Sequence, residues 1–292
     1  MVSTNKIGVL VLFVAVVCAG TPILVPNAFA APLQKPKLVS LDSCADQLVL
    51  HMADDEQILA LSPNSQLPFS FYKTRAVNFA THGGTAEEVL SLMPDVALRT
   101  GVGDYALARM LSRMGVETVA TGLPDTIAGI KGDVTIFGEA MAQVERAKEL
   151  IDNIDSRYQQ AQKNAGDFKH LKALYLSPGG TTTGENTFVG EVIKISGLTN
   201  LMSTSISGWG QIDIEKLVLD PPDVIVGSFF DAQVGNADGW RFSHHPVVTA
   251  MMEHALFIDV PSRFLACPQW MMLDAVEFIQ SKLEEERGNV EK

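Results

Sequence analysis

The sequence predicts an α/β protein of two similar Rossmann-like lobes, joined by one long α-helix and separated by a cleft. Short β-branched runs alternate with helical segments, which is typical of parallel sheets covered by helices. A long amphipathic segment divides the chain, and one sequence pattern occurs on each side of it. The 292 residues, 47% of them hydrophobic, are enough for two domains that each bury a core.

Six short apolar runs predict the strands, three on each side of the chain's middle. They are residues 37–41, 96–100, 116–120, 172–176, 224–228 and 256–260. Helical periodicity lies between them at residues 44–53, 86–92, 106–114 and 188–196. This alternation favours βαβ units and therefore mainly parallel sheets.

The middle of the chain predicts a single connecting helix. Residues 134–164 contain no Pro, and their one Gly, Gly138, lies near the start. Apolar residues recur there at three- and four-residue spacing, which predicts a helix of about 25 residues, nearly 40 Å long. We therefore expect four regions: a leader at 1–30, a first lobe at 31–124, a connecting helix at 125–165 and a second lobe at 166–292.

The two lobes share a sequence pattern. Residues 86–96 (AEEVLSLMPDV) align with residues 214–224 (IEKLVLDPPDV). Each copy has Glu near the start of a short helix, and then Pro-Asp-Val opens a buried strand. The Pro ends the helix because it has no N–H and disfavours helical geometry in the residue before it.

The first thirty residues have the pattern of a secretory signal peptide. Lys6 precedes an uncharged apolar run at 7–19, and Ala28-Phe29-Ala30 is a small-residue cleavage site. The run of about 13 residues is shorter than the ~20 that a membrane-spanning helix needs, which disfavours an uncleaved anchor. We expect cleavage after Ala30 and export to the periplasm, where disulfides persist.

Composition excludes several classes of function. The net charge of −12, from 22 Lys plus Arg against 34 Asp plus Glu, disfavours binding to nucleic acid or to anionic lipid. The sequence has no phosphate-loop, nucleophile-elbow, H-E-x-x-H or C-x-x-C motif. We expect a protein that is not an enzyme; an extracytoplasmic hydrolase is the alternative, because catalytic triads are scattered in sequence.

Four segments resemble those of one known family: VSLDSCADQLVL, GGTAEEVLSLMPDVAL, SGWGQIDIEKLVLDPPDVIVG and SHHPVVTAM. In order and spacing they resemble the helical-backbone (class III) periplasmic solute-binding proteins, which are the cobalamin, iron-siderophore and haem receptors of ABC importers. The resemblance implies a ligand held between lobes that move little, and delivery to a dimeric permease in the inner membrane. It implies no intrinsic cofactor, and we expect a monomer without a metal site.

The ends of the strands predict the ligand site. In open α/β sheets, ligands bind beyond the carboxyl ends of the strands, and two lobes form a natural cleft there. The candidate ligand-binding residues are Ser43, Cys44, Tyr72, His82, Trp209, Phe229, Arg263, Phe264 and Trp270, with Phe230 beside them. The alternatives are helix capping for Asp42 or Ser43 and simple packing for Trp209 and Trp270.

An aromatic site that is poor in cations suits a flat or bulky apolar ligand. Cobalamin or a related corrinoid is therefore the first candidate. Haem is the second, because His82, Tyr72 and Tyr105 each offer an axial ligand. A neutral or hydroxamate ferric siderophore is the third.

Two residue pairs have further expected roles. Glu87 and Glu215 occupy matched positions in the two copies, and the resemblance implies that they dock onto arginines of the permease; the alternative is that they only complement helix N-termini.

Cys44 follows the first strand of one lobe and Cys267 follows the last strand of the other. A disulfide between them is favoured in the periplasm if their Cα atoms are close. The alternatives are two buried thiols or a thiolate pair at a soft metal.

Overall fold

The computed structural model describes residues 34–229 and 245–290, and the elements given below lie in one compact unit, Lys35–Lys292. The predicted leader and its cleavage site after Ala30 lie outside the described residues. Within the described ranges, no helix has both the length and the apolar character required to cross a membrane.

The first lobe is built on a parallel sheet of four strands. These are β1 (Leu38–Ser40), β2 (Ile58–Ala60), β3 (Val96–Arg99) and β4 (Glu117–Ala120), in the order β2-β1-β3-β4. Its helices are α1 (Ser43–Met52), α2 (Lys73–Ala76), α3 (Ala86–Ser91), α4 (Tyr105–Arg113) and α5 (Ile127–Ala140).

The second lobe repeats this plan. Its parallel sheet has the order β10-β9-β5-β7, from β5 (Lys172–Leu176), β7 (Thr199–Asn200), β9 (Val224–Ser228) and β10 (Leu256–Val260). A separate antiparallel pair joins β6 (Thr181–Thr183) to β8 (Trp209–Gln211). The remaining helices are α6 (Val144–Asn164), α7 (Phe188–Ile195), α8 (Ile214–Leu219), α9 (Pro246–His254), α10 (Ser262–Leu265) and α11 (Met272–Val290).

All six predicted strands are confirmed, and so are the four predicted short helices. Side-chain caps explain several helix starts: the oxygens of Asp42, Thr85, Asp104, Thr126, Thr187 and Asp213 each accept hydrogen bonds from free backbone N–H groups of the first turn. The short strands β2, β6, β7 and β8 were not predicted.

The predicted helix over 134–164 is wrong in one respect, since the structure divides it into the end of α5 and the whole of α6. At the break the Gln143 N–H donates to the Gly138 carbonyl (2.7 Å), and the Ala142 N–H donates to the Glu139 carbonyl (3.1 Å). This is a Schellman motif, which closes a helix through one left-handed residue. That residue is Ala142, with φ 53°. The chain then turns, and α6 packs back against α5.

The connection between the lobes is therefore α6 alone, with 21 residues. It packs on α5 of the first lobe and on α7 and α11 of the second. One continuous hydrophobic core runs through both lobes and α6, and includes Leu38, Phe137, Ile154, Tyr175 and Ile279. Because this core is shared, the lobes are not independent bodies on a loose hinge.

The alternation of side chains along the central strands explains the layered packing. In β3, Val96 and Leu98 face the shared core, whereas Ala97 faces a smaller cluster under α3 and α4. In β9, Val224 and Val226 face the shared core, and Ile225 faces a cluster under α8 and α9. Strands that are buried on both faces give the continuous apolar runs seen in the sequence.

Candidate functional site

The carboxyl edge of the first sheet is held by Asp42. Its Oδ1 accepts from the N–H groups of Cys44 (3.0 Å) and Ala45 (2.9 Å), and its Oδ2 accepts from the Thr100 N–H (2.6 Å). Asp42 is 6% exposed, so it joins the loops after β1 and β3 from inside the lobe. It caps α1 and fixes the start of that helix at the junction with the second lobe.

Cys44 and Cys267 form a disulfide that joins the lobes. Their Cα atoms are 5.6 Å apart, across a sequence separation of 223 residues. Both side chains are buried, and the Gln269 amide donates to the Cys44 carbonyl at 2.8 Å beside the bond. The bond links the first turn of α1 to the segment before α11. The sequence allowed three interpretations of this pair, and the structure contains the disulfide.

A narrow crevice lies between the lobes next to this bond; it is too narrow to admit a water molecule, and we call it the inter-lobe cavity. Ser43, Gln47, Phe69 and Phe71 line it from the first lobe, and Arg263 and Cys267 line it from the second. Of the expected ligand residues, Ser43 and Arg263 are brought together here. The arginine is exposed, and its guanidinium lies 4.5 Å from the Phe264 ring centre.

Phe69 is a cavity residue that the sequence reasoning missed. Gln47 positions its loop, because the Gln47 amide donates to the Ser70 hydroxyl (3.1 Å) and accepts from the Tyr72 N–H (3.0 Å). The available signal was the Phe-Ser-Phe sequence at 69–71, but it follows the unpredicted strand β2.

Phe229 faces Phe69 from the other lobe. The two rings lie edge to face with centres 6.5 Å apart, which is a favourable geometry for an aromatic pair. Phe229 follows β9 directly and has φ 67°, a strained value for a bulky residue. Such strain is typical of functional segments, where the surrounding structure imposes it. Phe264 extends the aromatic surface through Phe71, at 6.2 Å between ring centres.

Trp209 lies on β8 and is 49% exposed. Its ring packs at 5.8 Å from that of Tyr175 and at 6.1 Å from that of Phe188. Tyr175 is buried beneath it, and burial raises the pKa of its phenol far above the usual value. Trp209 thus presents one face to solvent on the antiparallel β6–β8 pair, but it does not line the inter-lobe cavity.

Three expected ligand residues lie away from this cavity. Trp270 is only 4% exposed and packs 4.9 Å from the His51 ring. The Tyr72 hydroxyl lies 2.6 Å from His51 Nδ1, on the side of the molecule that faces α6. His82 is 5% exposed, and both of its ring nitrogens are occupied: Nε2 bonds the Ser40 carbonyl (2.9 Å) and Nδ1 accepts from the Gly84 N–H (3.0 Å).

Tyr105 is the haem-ligand candidate that stays accessible. Its ring is 64% exposed at the start of α4, and the Arg99 guanidinium lies 3.6 Å from the ring centre. Arg99 is itself buried and donates to the carbonyls of Thr100 (2.8 Å) and Gly103 (3.3 Å). The arginine therefore fixes both the loop after β3 and the orientation of the phenol ring.

Glu87 and Glu215 occupy equivalent places in the two lobes. Each lies in the first turn of a six-residue helix, α3 or α8, and each is exposed. Thr85 and Asp213 supply the side-chain caps of those helices. In the described part of the chain neither glutamate makes an ion pair or a side-chain hydrogen bond, so both carboxylates are available to a partner.

The described residues contain no group of three or more His, Cys, Asp or Glu arranged to hold a metal ion. His245 accepts from the Val247 N–H through Nδ1 (3.3 Å) and caps α9. Its neighbour His244 lies outside the described residues, as does Phe230.

Comparison with known proteins identifies the family. Residues 38–238 match the model of the family described as periplasmic binding protein. The chain belongs to this family. It is accordingly an extracytoplasmic substrate-binding component of an importer of the ABC type.

Its curated relatives are distant. It is 26% identical over 213 residues to the vitamin B12-binding protein of Photorhabdus laumondii, covering 71% of this chain and 75% of the relative. It is 23% identical over 242 residues to the vitamin B12-binding protein of Yersinia pseudotuberculosis, covering 80% of this chain and 84% of the relative.

Solved structures share the fold. A periplasmic haem-binding protein of Pseudomonas aeruginosa superposes with a TM-score of 0.67 at 17% identity, covering 84% of this chain and 92% of that one. The periplasmic vitamin B12-binding protein of Vibrio cholerae gives 0.66 at 19% identity, covering 86% and 97%. The two-lobed fold expected from the sequence is confirmed.

Proposed function

We propose that this protein captures cobalamin or a related corrinoid in the cleft between its lobes and delivers it to a dimeric permease in the inner membrane. The observation that carries the proposal is the inter-lobe cavity, whose walls are aromatic and contain one exposed cation, Arg263. The vitamin B12-binding relatives support the same ligand class. They are binding proteins and not enzymes, which supports a role in capture without catalysis.

The cavity supplies two kinds of contact. Phe69 and Phe71 line the cavity, and Phe229 and Phe264 pack on them. These four rings offer rigid apolar surface for a flat macrocycle. Ser43 and Arg263 offer a hydroxyl and a guanidinium at the same cavity, which suit the amide and phosphate groups around a corrinoid. The crevice is too narrow for a corrinoid, so it would form the floor of the site and the macrocycle would lie outward between the lobes.

The disulfide and the shared core determine how binding proceeds. Because Cys44–Cys267 and α6 both join the lobes, wide opening is opposed at two places. Binding to a preformed site requires little reorganisation, which favours affinity. We infer that the ligand enters and leaves through small movements of the lobes, and that the permease supplies the interaction energy that spreads them.

Titration with cyanocobalamin, haemin and a ferric hydroxamate, followed by tryptophan fluorescence and calorimetry, tests the ligand. Cyanocobalamin is expected to bind most tightly. If none of the three binds better than about 100 μM, or roughly 5–6 kcal/mol, this ligand class is excluded.

A haem receptor of the same fold is the second candidate, and Tyr105 is the observation that favours it. Its exposed phenol at the start of α4 is the kind of group that coordinates ferric haem. In that case haemin would bind with an absorbance spectrum typical of phenolate coordination, and Tyr105→Phe would abolish that spectrum. A ferric hydroxamate siderophore is the third candidate.

Glu87 and Glu215 form the proposed docking pair. They lie on matched helices of the two lobes, so a dimeric permease would meet each of them with an equivalent surface. The net charge of −12 would assist the encounter with a basic surface and would make it sensitive to salt.

The export route is part of the same proposal. Cleavage of the leader after Ala30 would release a monomer into the periplasm that binds no nucleic acid. Intact-mass analysis of the protein from its native compartment tests the cleavage site, and size-exclusion chromatography with light scattering tests the monomer.

A further inference from the structure

A second cavity, of about 550 Å³, lies beside the connecting helix, and we call it the α6 groove. His51 and Tyr72 of the first lobe, Glu149 and Arg157 of α6, and Trp270 and Asp274 of the second lobe line it. Phe71 is the residue that it shares with the inter-lobe cavity. Its volume falls in the range of small-molecule sites.

One wall of the α6 groove is aromatic. The Trp270 ring lies 4.9 Å from the His51 ring and 6.3 Å from the Tyr72 ring, measured between centres. The Tyr72 hydroxyl and His51 Nδ1, 2.6 Å apart, lock the two rings to each other. Burial first, and then Arg75 and Arg146, lower the pKa of His51. Burial thus favours the uncharged imidazole in this wall, and the contact with Tyr72 holds the orientation of the ring.

The arginines of the groove are already paired. Arg157 bonds Glu277 through Nε (2.7 Å) and contacts Asp274 (3.3 Å). Arg146 bonds Asp54 at 2.6 Å and donates to the Met52 carbonyl at 2.7 Å. Lys35 bonds the same aspartate at 2.7 Å, so these pairs contain three cations (Lys35, Arg146 and Arg157) and three carboxylates (Asp54, Asp274 and Glu277). Their charges cancel over the group, and neither arginine is an open anion site.

Glu149, unlike these arginines, has no charged partner among the described residues. It lies on α6 at the groove, is exposed, and has no ion pair or hydrogen bond to any other described residue. The charge left unbalanced in the groove is therefore negative, next to a neutral aromatic wall. An aromatic surface with a nearby carboxylate is the usual environment for an organic cation, because the ring faces attract positive charge.

We propose that the α6 groove is a second ligand site, which binds a small organic ammonium ion with its charge toward Glu149 and its apolar part on the half-buried rings of Phe71 and Tyr72. The site is distinct from the cleft and does not depend on which ligand the cleft takes. Residues of both lobes and of α6 line the groove.

Three probes that share one ring and differ in charge test this: benzylammonium, benzyl alcohol and phenylacetate, titrated calorimetrically into the full oxidised protein. Benzylammonium is expected to bind at least about tenfold more tightly than the other two. Equal binding of the three, tighter binding of phenylacetate, or no binding of benzylammonium up to about 10 mM overturns the proposal.

A matched pair of variants locates the site. Glu149→Gln is expected to weaken benzylammonium binding by about tenfold, since it removes the unpaired charge without changing size. Glu145→Gln makes the same change on α6 outside the groove lining and is expected to leave binding unchanged. Both positions are exposed, and unfolding midpoints will show that both variants are folded. An equal effect of the two substitutions overturns the assignment.

Discussion

Cys44 at the start of α1 and Cys267 before α11 are joined by a disulfide that crosses from one lobe to the other. The bond closes a loop over a sequence separation of 223 residues, and it lies in the wall of the inter-lobe cavity. It therefore bears both on stability and on how far the lobes separate.

Reduction of this disulfide is expected to destabilise the fold. The chain-entropy model assigns a loop of this length up to about 5 kcal/mol, and measured values for native bonds are commonly about 2–5 kcal/mol. Urea unfolding with and without reductant measures the difference. The Cys44→Ala/Cys267→Ala double variant serves as control, because its midpoint should not respond to reductant. Alkylation of two cysteines in denaturant without reductant would show that the mature periplasmic protein lacks the bond.

Phe69→Ala is expected to weaken binding of the cleft ligand by roughly ten- to a hundredfold. The substitution removes an aromatic face at the cavity, and burial of such a side chain contributes about 1.5–3 kcal/mol. Phe278→Ala on α11 is the matched control, because Phe278 is equally half-buried but lies outside the cavity lining. Calorimetric titration of both variants with cyanocobalamin measures the two affinities. Equal affinities in the two variants would remove Phe69 from the site.

The rule that ligands bind beyond the carboxyl ends of strands predicted that Ser43 and Arg263 lie together. Ser43 and Arg263 meet at the inter-lobe cavity, because each follows a strand that the sequence shows clearly. The rule does not say where the chain turns next, and so Trp270 was expected in the cleft although it packs against His51. Phe69 was missed because it lies in the loop beyond β2, a strand that was not predicted from the sequence.

More of the fold than of the site could be predicted from the sequence. Central strands buried on both faces have unmistakable apolar runs, and Pro-Asp-Val marks the start of β3 and β9. The structure explains that repeat: Asp95 accepts from the Lys37 N–H (2.7 Å), and Asp223 accepts from the Lys172 N–H (2.8 Å). The end of α5 was not predictable, because an alanine takes the left-handed position where glycine is the usual signal.

Simultaneous Glu87→Ala and Glu215→Ala substitutions are expected to abolish uptake and to leave ligand affinity unchanged. Both carboxylates are exposed and have no partner in the described ranges, so their loss should not disturb the cleft. Transport assays in cells and ligand titration of the purified variant measure the two effects. The control is Glu145→Ala with Glu253→Ala, which removes the same charge from exposed positions elsewhere. Loss of ligand affinity in the first variant would assign the glutamates to the cleft or the fold.

Ala142→Gly is expected to stabilise the protein by about 0.5–1 kcal/mol. Ala142 has φ 53° at the end of α5, where a Cβ is unfavourable, and glycine adopts this conformation without strain. The neighbouring substitution Ala140→Gly should instead destabilise by about 0.5–1 kcal/mol, because Ala140 is helical. Chemical denaturation of the two variants gives opposite signs if the Schellman turn is as described. A destabilised Ala142→Gly variant would contradict it.

Asp46 is expected to make stability fall as pH rises. Burial raises the pKa of this carboxyl from 3.8 to about 7, and it outweighs hydrogen bonds from the Ser62 N–H (2.9 Å) and hydroxyl (2.6 Å). Between pH 3.8 and about 7, the folded protein therefore keeps a proton on Asp46 that the unfolded chain has lost. The stability that protonated Asp46 contributes is complete below pH 3.8 and is lost as pH rises through about 7, by at most about 4 kcal/mol. Urea unfolding at several pH values, for the wild type and for Asp46→Asn, isolates this contribution from those of other groups. The free energy of unfolding of Asp46→Asn should rise relative to that of the wild type as pH rises over this interval. A constant difference in unfolding free energy between the two proteins would show that Asp46 titrates as an ordinary carboxyl.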